Sequence, residues 1–450
     1  MTSRYLLPRG GLALMVALSS AGCGSDDSTA TVSLSERLHV DPASKDAHPD
    51  GTAAHPFKSL AEAVTAVEAT KDWDGTIVAL KGRHEITKDL ILPPSADFEV
   101  QAGATFAIGF EVSIHPQRDT KVRGTEAEPV TFTWLQEGMH WGAFTIQEKT
   151  SLSNVFEYAV FEHASQSQWQ GLNLRGALSF ADAGGRVSHC KFNDNEGDDG
   201  MNLKRSPIVI EYSDFERNVA DAIDADGAAD SEIHHCYFAD NVNDSIDLGE
   251  GSTLHAHHNL IVRSGDKGFS NGDGSAGIID HNVVVDSNLG IGIKDSSKPT
   301  VTNNTFYGNK NGLRIYHHVD GFEGGMGTFV NNIIWASEEM DVDFQVGTTH
   351  INHNCLGSVT FEMFPQADNT FSGGGCDDPL FADPENGDFH LMSAAGRWDP
   401  KTKAWVTDDV TSPCIDAGDP DTNVLTEPEP NGGRVDMGNF GGEAEASHTP

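Results

Sequence analysis

The segments His189-Cys190-Lys191-Phe192, Tyr212-Ser213-Asp214-Phe215, His235-Cys236-Tyr237-Phe238, His258-Asn259-Leu260-Ile261, His281-Asn282-Val283-Val284 and Asn303-Asn304-Thr305-Phe306 follow one another at offsets of 23, 23, 23, 23 and 22 residues. A further copy, Asn331-Asn332-Ile333-Ile334, comes after 28 residues, and Tyr158-Ala159-Val160-Phe161 precedes the series by 31. Between these marks lie short runs of alternating apolar residues broken by Gly, Asn and Asp, the signature of strands and tight turns. Leucine-rich repeats have this length, but they need a fixed Leu ladder that Ile291-Gly292-Ile293-Lys294 and its counterparts lack. Three strands of 3 to 5 residues plus turns use up one period, so the chain reads as an all-β solenoid. Its coils stack into parallel sheets with about 4.8 Å between neighbouring strands.

Stacking has consequences for the cysteines. Cys190 and Cys236 lie two coils apart with Ser213 between them, so their backbones are separated by roughly 9–10 Å. That is beyond the ~7 Å between Cα atoms that a disulfide spans. Both read as buried thiols in a column that continues as Asn259, Asn282 and Asn304, an internal amide ladder at a turn. Cys355 and Cys376 can pair across a loop.

Ser59-Leu60-Ala61-Glu62 has the spacing of a capping box, and Leu60, Val64 and Val67 share one helical face, so a short helix is expected to plug the open N-terminal end. From Asp377 the repeat is lost and Pro and Gly abound. The β-helix with its N-terminal cap is therefore placed at residues 37–376, and an irregular C-terminal cap at 377–450.

At the start of the chain, Arg4 and Arg9 precede a short apolar run from Leu12 to Leu18 and then Ser20-Ala21-Gly22-Cys23. This reads as an export signal over residues 1–22, too short to span a bilayer. The small residues before Cys23 resemble a bacterial lipobox, which implies lipidation at Cys23, a flexible tether over 23–36, and an exported protein anchored to the bacterial cell envelope or surface. A formal charge of −39, from 68 acidic against 29 basic residues, repels nucleic acid and anionic headgroups. Membrane contact is thus expected through the lipid anchor only, and the protein is expected to be a monomer.

Two end motifs carry a resemblance. Val40-Asp41-Pro42, with Asp46, Asp50-Gly51-Thr52 and Pro56-Phe57, resembles the start of many secreted proteins of the pectate-lyase-like superfamily. Ser412-Pro413-Cys414-Ile415-Asp416-Ala417-Gly418-Asp419-Pro420 and Asn431-Gly432-Gly433-Arg434-Val435-Asp436-Met437-Gly438 resemble their C-terminal end. The resemblance implies a right-handed parallel β-helix. It leaves function open, because that fold hosts lyases, hydrolases, epimerases and non-enzymatic surface proteins. The rungs Asp221-Ala222-Ile223-Asp224, Asp266-Lys267-Gly268-Phe269-Ser270 and Gly290-Ile291-Gly292-Ile293-Lys294-Asp295 are most similar to a group of secreted bacterial β-helix repeat proteins of unassigned activity.

One strand per coil concentrates charge. Strand alternation sends Met201, Ile223, Ile246 and Phe269 inward and leaves two outward columns. The first is Asn202, Asp224, Asp247, Ser270, Gly292, Arg314; the second is Lys204, Asp226, Gly249, Gly272, Lys294, Tyr316. The preceding turn adds Asp198, Asp199, Asp221, Asp244, Asp266 and Lys267. Carboxylates about 4.8 Å apart repel by about 3.5 kcal/mol at an effective dielectric near 20. Water, a shared proton or a bridging cation has to relieve that. Ca²⁺ suits such an oxygen site, with Asp199, Asp221, Asp224, Asp244 and Asp247 as the expected ligands.

The pairs Asp221/Asp224 and Asp244/Asp247 resemble the Asp-rich rungs of calcium-dependent pectate lyases, in which a Lys on a later rung takes the proton; Lys267 or Lys294 matches it. Lys294 and Arg314 on consecutive rungs are similar to the Lys and Arg pair of alginate- and chondroitin-lyase-like proteins. Lys204, Tyr316, His317 and His318 are the expected substrate-binding residues, the last two beside the Gly-rich loop Asp320–Gly327. The first expectation is a calcium-assisted lyase that cleaves a uronate-containing polysaccharide by β-elimination. The second is a lipid-anchored surface protein that binds glycan or calcium without turnover. A polygalacturonase-like hydrolase ranks third: Asp198-Asp199-Gly200 is similar to its paired carboxylates, but its Gly-His-Gly is absent.

Overall fold

A computed structural model describes residues 34–147, 153–361, 370–372 and 376–450. Cys23 and the export segment lie outside the described residues. Each coil runs through three strands, and the stacked strands form three parallel sheets of 14, 12 and 12 strands. In one coil, for example, Gly176–Ala181, Gly185–Ser188 and Lys191–Asn193 are followed by Asp199–Lys204, which pairs back onto the first. The sheet containing Asp199–Lys204 is called here the acidic sheet.

The core is made of rows. Phe106, Phe132, Phe161, Phe192, Phe215 and Phe238 stack face to face with ring centroids 4.7–5.0 Å apart, and Ile261, Val284 and Phe306 extend the row in register. A fully buried Phe contributes about 1.5–3 kcal/mol, so each coil is stable only with its neighbours in place.

The turn after the second strand places His189, Tyr212, His235, His258, His281 and Asn303 in the left-handed region, at φ of 47–54°. That conformation is costly for a non-glycine residue, and the next residue offsets the cost. The Asn259 side-chain amide donates to Asn282 Oδ1 at 2.9 Å, Asn282 to Asn304 at 3.0 Å, Asn304 to Asn332 at 3.0 Å and Asn332 to Asn354 at 2.9 Å. Each acceptor oxygen also takes the backbone N–H of the preceding Asn, and Asn259 Oδ1 takes that of Cys236. Cys190 and Cys236 are buried free thiols in this column. A second amide ladder, Asn195 to Asn218 to Asn241, occupies another corner; its members sit in the variable turn, where the repeat alignment did not reach them.

The helix Leu60–Ala69 is capped by Ser59, whose Oγ accepts from Glu62 N at 3.2 Å. It buries Leu60, Ala63 and Val67, with Val64 only partly covered. Leu34–Glu36, assigned to the tether above, already pack on the coil: Leu34 touches the core and the Ser35 carbonyl accepts from Trp73 Nε1 at 2.8 Å. Cys355 and Cys376 form a disulfide, Cα to Cα 4.8 Å. The region from Asp377 folds back along the flank of the coils, where Thr305 Oγ1 bonds Asn439 at 2.9 Å and the Gly441 carbonyl accepts from His281 Nε2 at 3.0 Å.

Replacing Asn282 by Ala deletes a buried amide that bonds the coils on both sides. Urea unfolding is expected to show a loss of about 2–4 kcal/mol, larger than that of Asn303→Ala at the neighbouring turn position.

Candidate functional site

Register builds the first outward column of the acidic sheet as Asn202, Asp224, Asp247, Ser270, Gly292, Arg314 and Asp343. Upstream it continues through Ser179 and Thr145 to the rung of His115. The sequence places this column in solvent; the structure covers its acidic half, leaving Asn202 at 0% and Asp224 at 8% exposure. Side chains on adjacent rungs lie over one another: Asn202 Nδ2 donates to Asp224 Oδ2 at 3.0 Å, and Lys204 Nζ meets Asp226 Oδ2 at 2.5 Å. Asp199, Asp221 and Lys267, expected in the turn, each open a strand.

Five carboxyls are thereby packed together. Burial pushes Asp199 well above the usual carboxylate range, with Asp224 and Asp221 adding to it. Burial lifts Asp221 to about 8, helped by Asp244 and Asp247. Asp224 also reaches about 8, through burial and then Asp226 and Asp247, opposed by Lys204 and Arg175. Asp244 rises to about 6 by burial, held back by Lys267. Burial raises Asp247 as well, against Lys294. Asp221 Oδ1 accepts from Asp244 N at 2.9 Å and Asn243 Nδ2 at 2.7 Å, whereas the buried Asp199 Oδ2 and Asn202 Oδ1 have no hydrogen-bond partner among the described residues.

The basic half begins one rung further on. Lys267, 8% exposed, places Nζ 3.3 Å from Asp244 Oδ1 and also pairs with Asp266. Burial lowers its pKa, but Asp244 and Asp266 outweigh that and hold the ammonium form. Glycines leave the room these long side chains occupy: a Cβ on Gly292 would sit 2.9 Å from Lys267 Cδ, and one on Gly272 2.9 Å from Lys294 Cε. Tyr316 is partly buried here, its hydroxyl pKa raised first by burial. Arg314 Nε bonds Asp343 Oδ2 at 2.7 Å, a partner contributed by the coil after the longer loop and missed in the repeat alignment.

The two loop histidines separate. Asp295 Oδ1 accepts the backbone N–H groups of His318 and Val319, both at 2.8 Å, and so pins the loop. His318 stays near Tyr316, ring centroids 6.5 Å apart. His317 instead turns into a cleft with Phe322, Glu323, Met326 and Val346, to which none of the five Asp residues contributes. Upstream, Trp169 on the hairpin Ser167–Trp169/Leu172–Leu174 stacks on His115 at 4.0 Å. That hairpin interrupts the repeat, and the interruption was its only sequence signal.

A family model and one solved structure agree with this architecture. The family described as "Right handed beta helix region" matches residues 129–284 and 175–334. The structure of pectate lyase Pel9A is similar with a TM-score of 0.51 at 15% identity, over 91% of this chain and 97% of that one. The complex of XylC with xylose gives 0.46 at 10% identity over 71% and 75%. The periplasmic alginate epimerase AlgG gives 0.41 at 12% over 61% and 75%. No curated protein matches the sequence. The chain is a right-handed parallel β-helix protein of the pectate-lyase-like fold.

The raised carboxyls predict a pH signature. A carboxyl held near 8 in the fold and about 3.9 when unfolded binds its proton more tightly in the folded state. Its stabilisation is full below pH ~4 and is lost as pH climbs towards 8. In chelator the melting temperature is therefore expected to fall across this window. Asp224→Asn should flatten the slope and add roughly 1–3 kcal/mol at pH 8, read from thermal melts of both proteins.

Proposed function

We propose that this protein is a calcium-assisted polysaccharide lyase that cleaves a uronate-containing glycan by β-elimination along the acidic sheet. The observation that carries the reading is the contact between Lys267 Nζ and Asp244, where a stack of buried carboxyls abuts a glycine-floored basic rung. Carboxyls this strongly raised are relieved at neutral pH either by protons or by a cation. The buried, unpartnered oxygens of Asp199 and Asn202 suit a hard, oxygen-seeking ion.

Asp199, Asp221, Asp224, Asp244 and Asp247 are the residues that would hold Ca²⁺. They offer a line of oxygens: the sets of three or more ligand atoms lying within 4.8 Å of one another are found elsewhere among the described residues. Loading the stack thus calls for side-chain rotation that draws these carboxylates together. When bound, the ion supplies charge that neutralises a uronate carboxylate and acidifies the adjacent C–H.

Lys267 Nζ, after releasing its own ammonium proton to solvent, takes the C–H proton as the glycosidic C–O bond breaks, and the departing oxygen is protonated from water. Its present carboxylate neighbours favour the ammonium, so the amine becomes a base as the charge on Asp244 is drawn off. Lys294, on the next rung, lies over Gly272 and is the other candidate base. Arg314, held by Asp343 in the first column, and Lys204, held by Asp226 in the second, are the cationic side chains offered to the carboxylates of neighbouring sugars, with Tyr316 and His318 at the downstream end. Export and lipid anchoring through Cys23 would place this activity outside the cytoplasm.

A second reading has its own observation: Lys204, Lys267 and Arg314 are each matched to a carboxylate, as in a protein that binds glycan without turnover. Ultraviolet absorbance on a panel of uronate polymers, with calcium and with chelator, separates the two. The expected result is calcium-dependent formation of the unsaturated product, lowered about 10²–10⁴-fold by Lys267→Ala and abolished by Asp224→Ala. Glycan binding with no absorbance change on any polymer would establish the binding protein instead.

A further inference from the structure

The repeat contains more histidine than the acidic sheet uses, and it gathers on the 14-stranded sheet. Strand His255–His257 turns Ala256 into the core, at 0% exposure, and both imidazoles outward. Their rings lie 4.3 Å apart. Register puts Glu232 beside His255 on the preceding rung and Asp280 beside His257 on the following one. The hydrogen bonds cross: His257 Nε2 meets Glu232 Oε1 at 2.9 Å, and His255 Nε2 meets Asp280 Oδ1 at 2.8 Å. Ligand atoms of Glu232, His255 and His257 all fall within 4.8 Å of one another.

A second triad adjoins it. His258 Nε2 lies 3.2 Å and His281 Nε2 3.7 Å from Glu443 Oε1 on the C-terminal region. The two triads share one proton, because His257 Nδ1 and His258 Nδ1 face each other at 2.8 Å and only one of them can be the donor. If His257 ligates through Nε2, its Nδ1–H donates to His258, and His258 must carry its own proton on Nε2, where Glu443 accepts it. That fixes the tautomer of the ligating imidazole as outer-shell partners do. It also withdraws His258 from ligation. His281 Nε2 is already engaged as the donor to the Gly441 carbonyl.

We propose that Glu232, His255 and His257, with a carboxylate oxygen of Asp280 turned in from beside His255 as the fourth donor, bind one imidazole-preferring divalent ion of the Zn²⁺, Cu²⁺ or Ni²⁺ class, and that the His258–Glu443 pair holds the site in its binding tautomer. Two imidazoles and a carboxylate suit such ions, at ligand distances of about 2.0–2.2 Å for zinc. This donor set differs in kind from the all-oxygen stack on the acidic sheet, and neither site depends on the other.

The test is calorimetric titration of the full chain with Zn²⁺ in the presence of Ca²⁺. One zinc per chain is expected, with no competition from calcium. His255→Ala and His257→Ala should each weaken binding by at least about 100-fold, whereas His281→Ala leaves the stoichiometry at one and Glu443→Gln weakens binding by about 10-fold. Electron paramagnetic resonance of the unsubstituted chain loaded with Cu²⁺ should show coupling to two nitrogens, which keeps the test decisive if a variant misfolds. Unchanged zinc affinity in folded His255→Ala or His257→Ala, loss confined to His281→Ala, two zinc ions per chain, or no nitrogen coupling would each overturn the proposal.

Discussion

Parallel pairing of each coil with the next brings every side chain to within about 4.8 Å of its counterparts above and below. That single spacing governs the molecule. For phenylalanine it is a stacking distance, and for asparagine it lets one amide bond the backbone and side chain of the next coil. Glycine opposite lysine becomes a floor. A column of carboxylates at the same spacing is unfavourable, and the chain tolerates one only where something else compensates.

The acidic sheet shows that conflict at its sharpest. Asp199, Asp224 and Asp244 are buried, with Asp221 and Asp247 half-buried beside them, although burial and mutual repulsion both disfavour their charged forms. Apolar side chains at these positions would avoid the repulsion altogether, as buried ion clusters are often no more stabilising than hydrophobic replacements. Local departures from fold stability of this kind concentrate at functional sites. Lys267, Lys294 and Arg314 follow on successive rungs by the same register, so acidic and basic halves meet at Lys267.

A different chemistry arises where the same spacing acts on histidine. The His255 and His257 rings reach carboxylates on the rungs to either side, and the adjacent turn histidines connect them to Glu443 about 160–190 residues further on. One scaffold thus presents an all-oxygen surface on one sheet and a nitrogen-rich one on another. The C-terminal region reaches the second through Glu443, which lies beside His258 and His281.

Much of this was legible in the chain itself. The repeat period identified the solenoid, the Cys190/Cys236 spacing excluded a disulfide, and the Asn259 column was recognisable as a ladder, because each follows from sequence offset and strand alternation alone. The placing of the five Asp residues on rungs before Lys267, Lys294 and Arg314 was visible for the same reason. What alternation cannot supply is the direction a side chain takes once it leaves its rung. Only the tertiary structure decided that Asp224 is buried and Lys267 lies over Gly292, that Asp343 claims Arg314, that His317 turns away from the acidic stack, and that Glu443 returns to the histidines. Those outcomes depend on contacts between rungs and with a non-repetitive segment, and no periodicity encodes them.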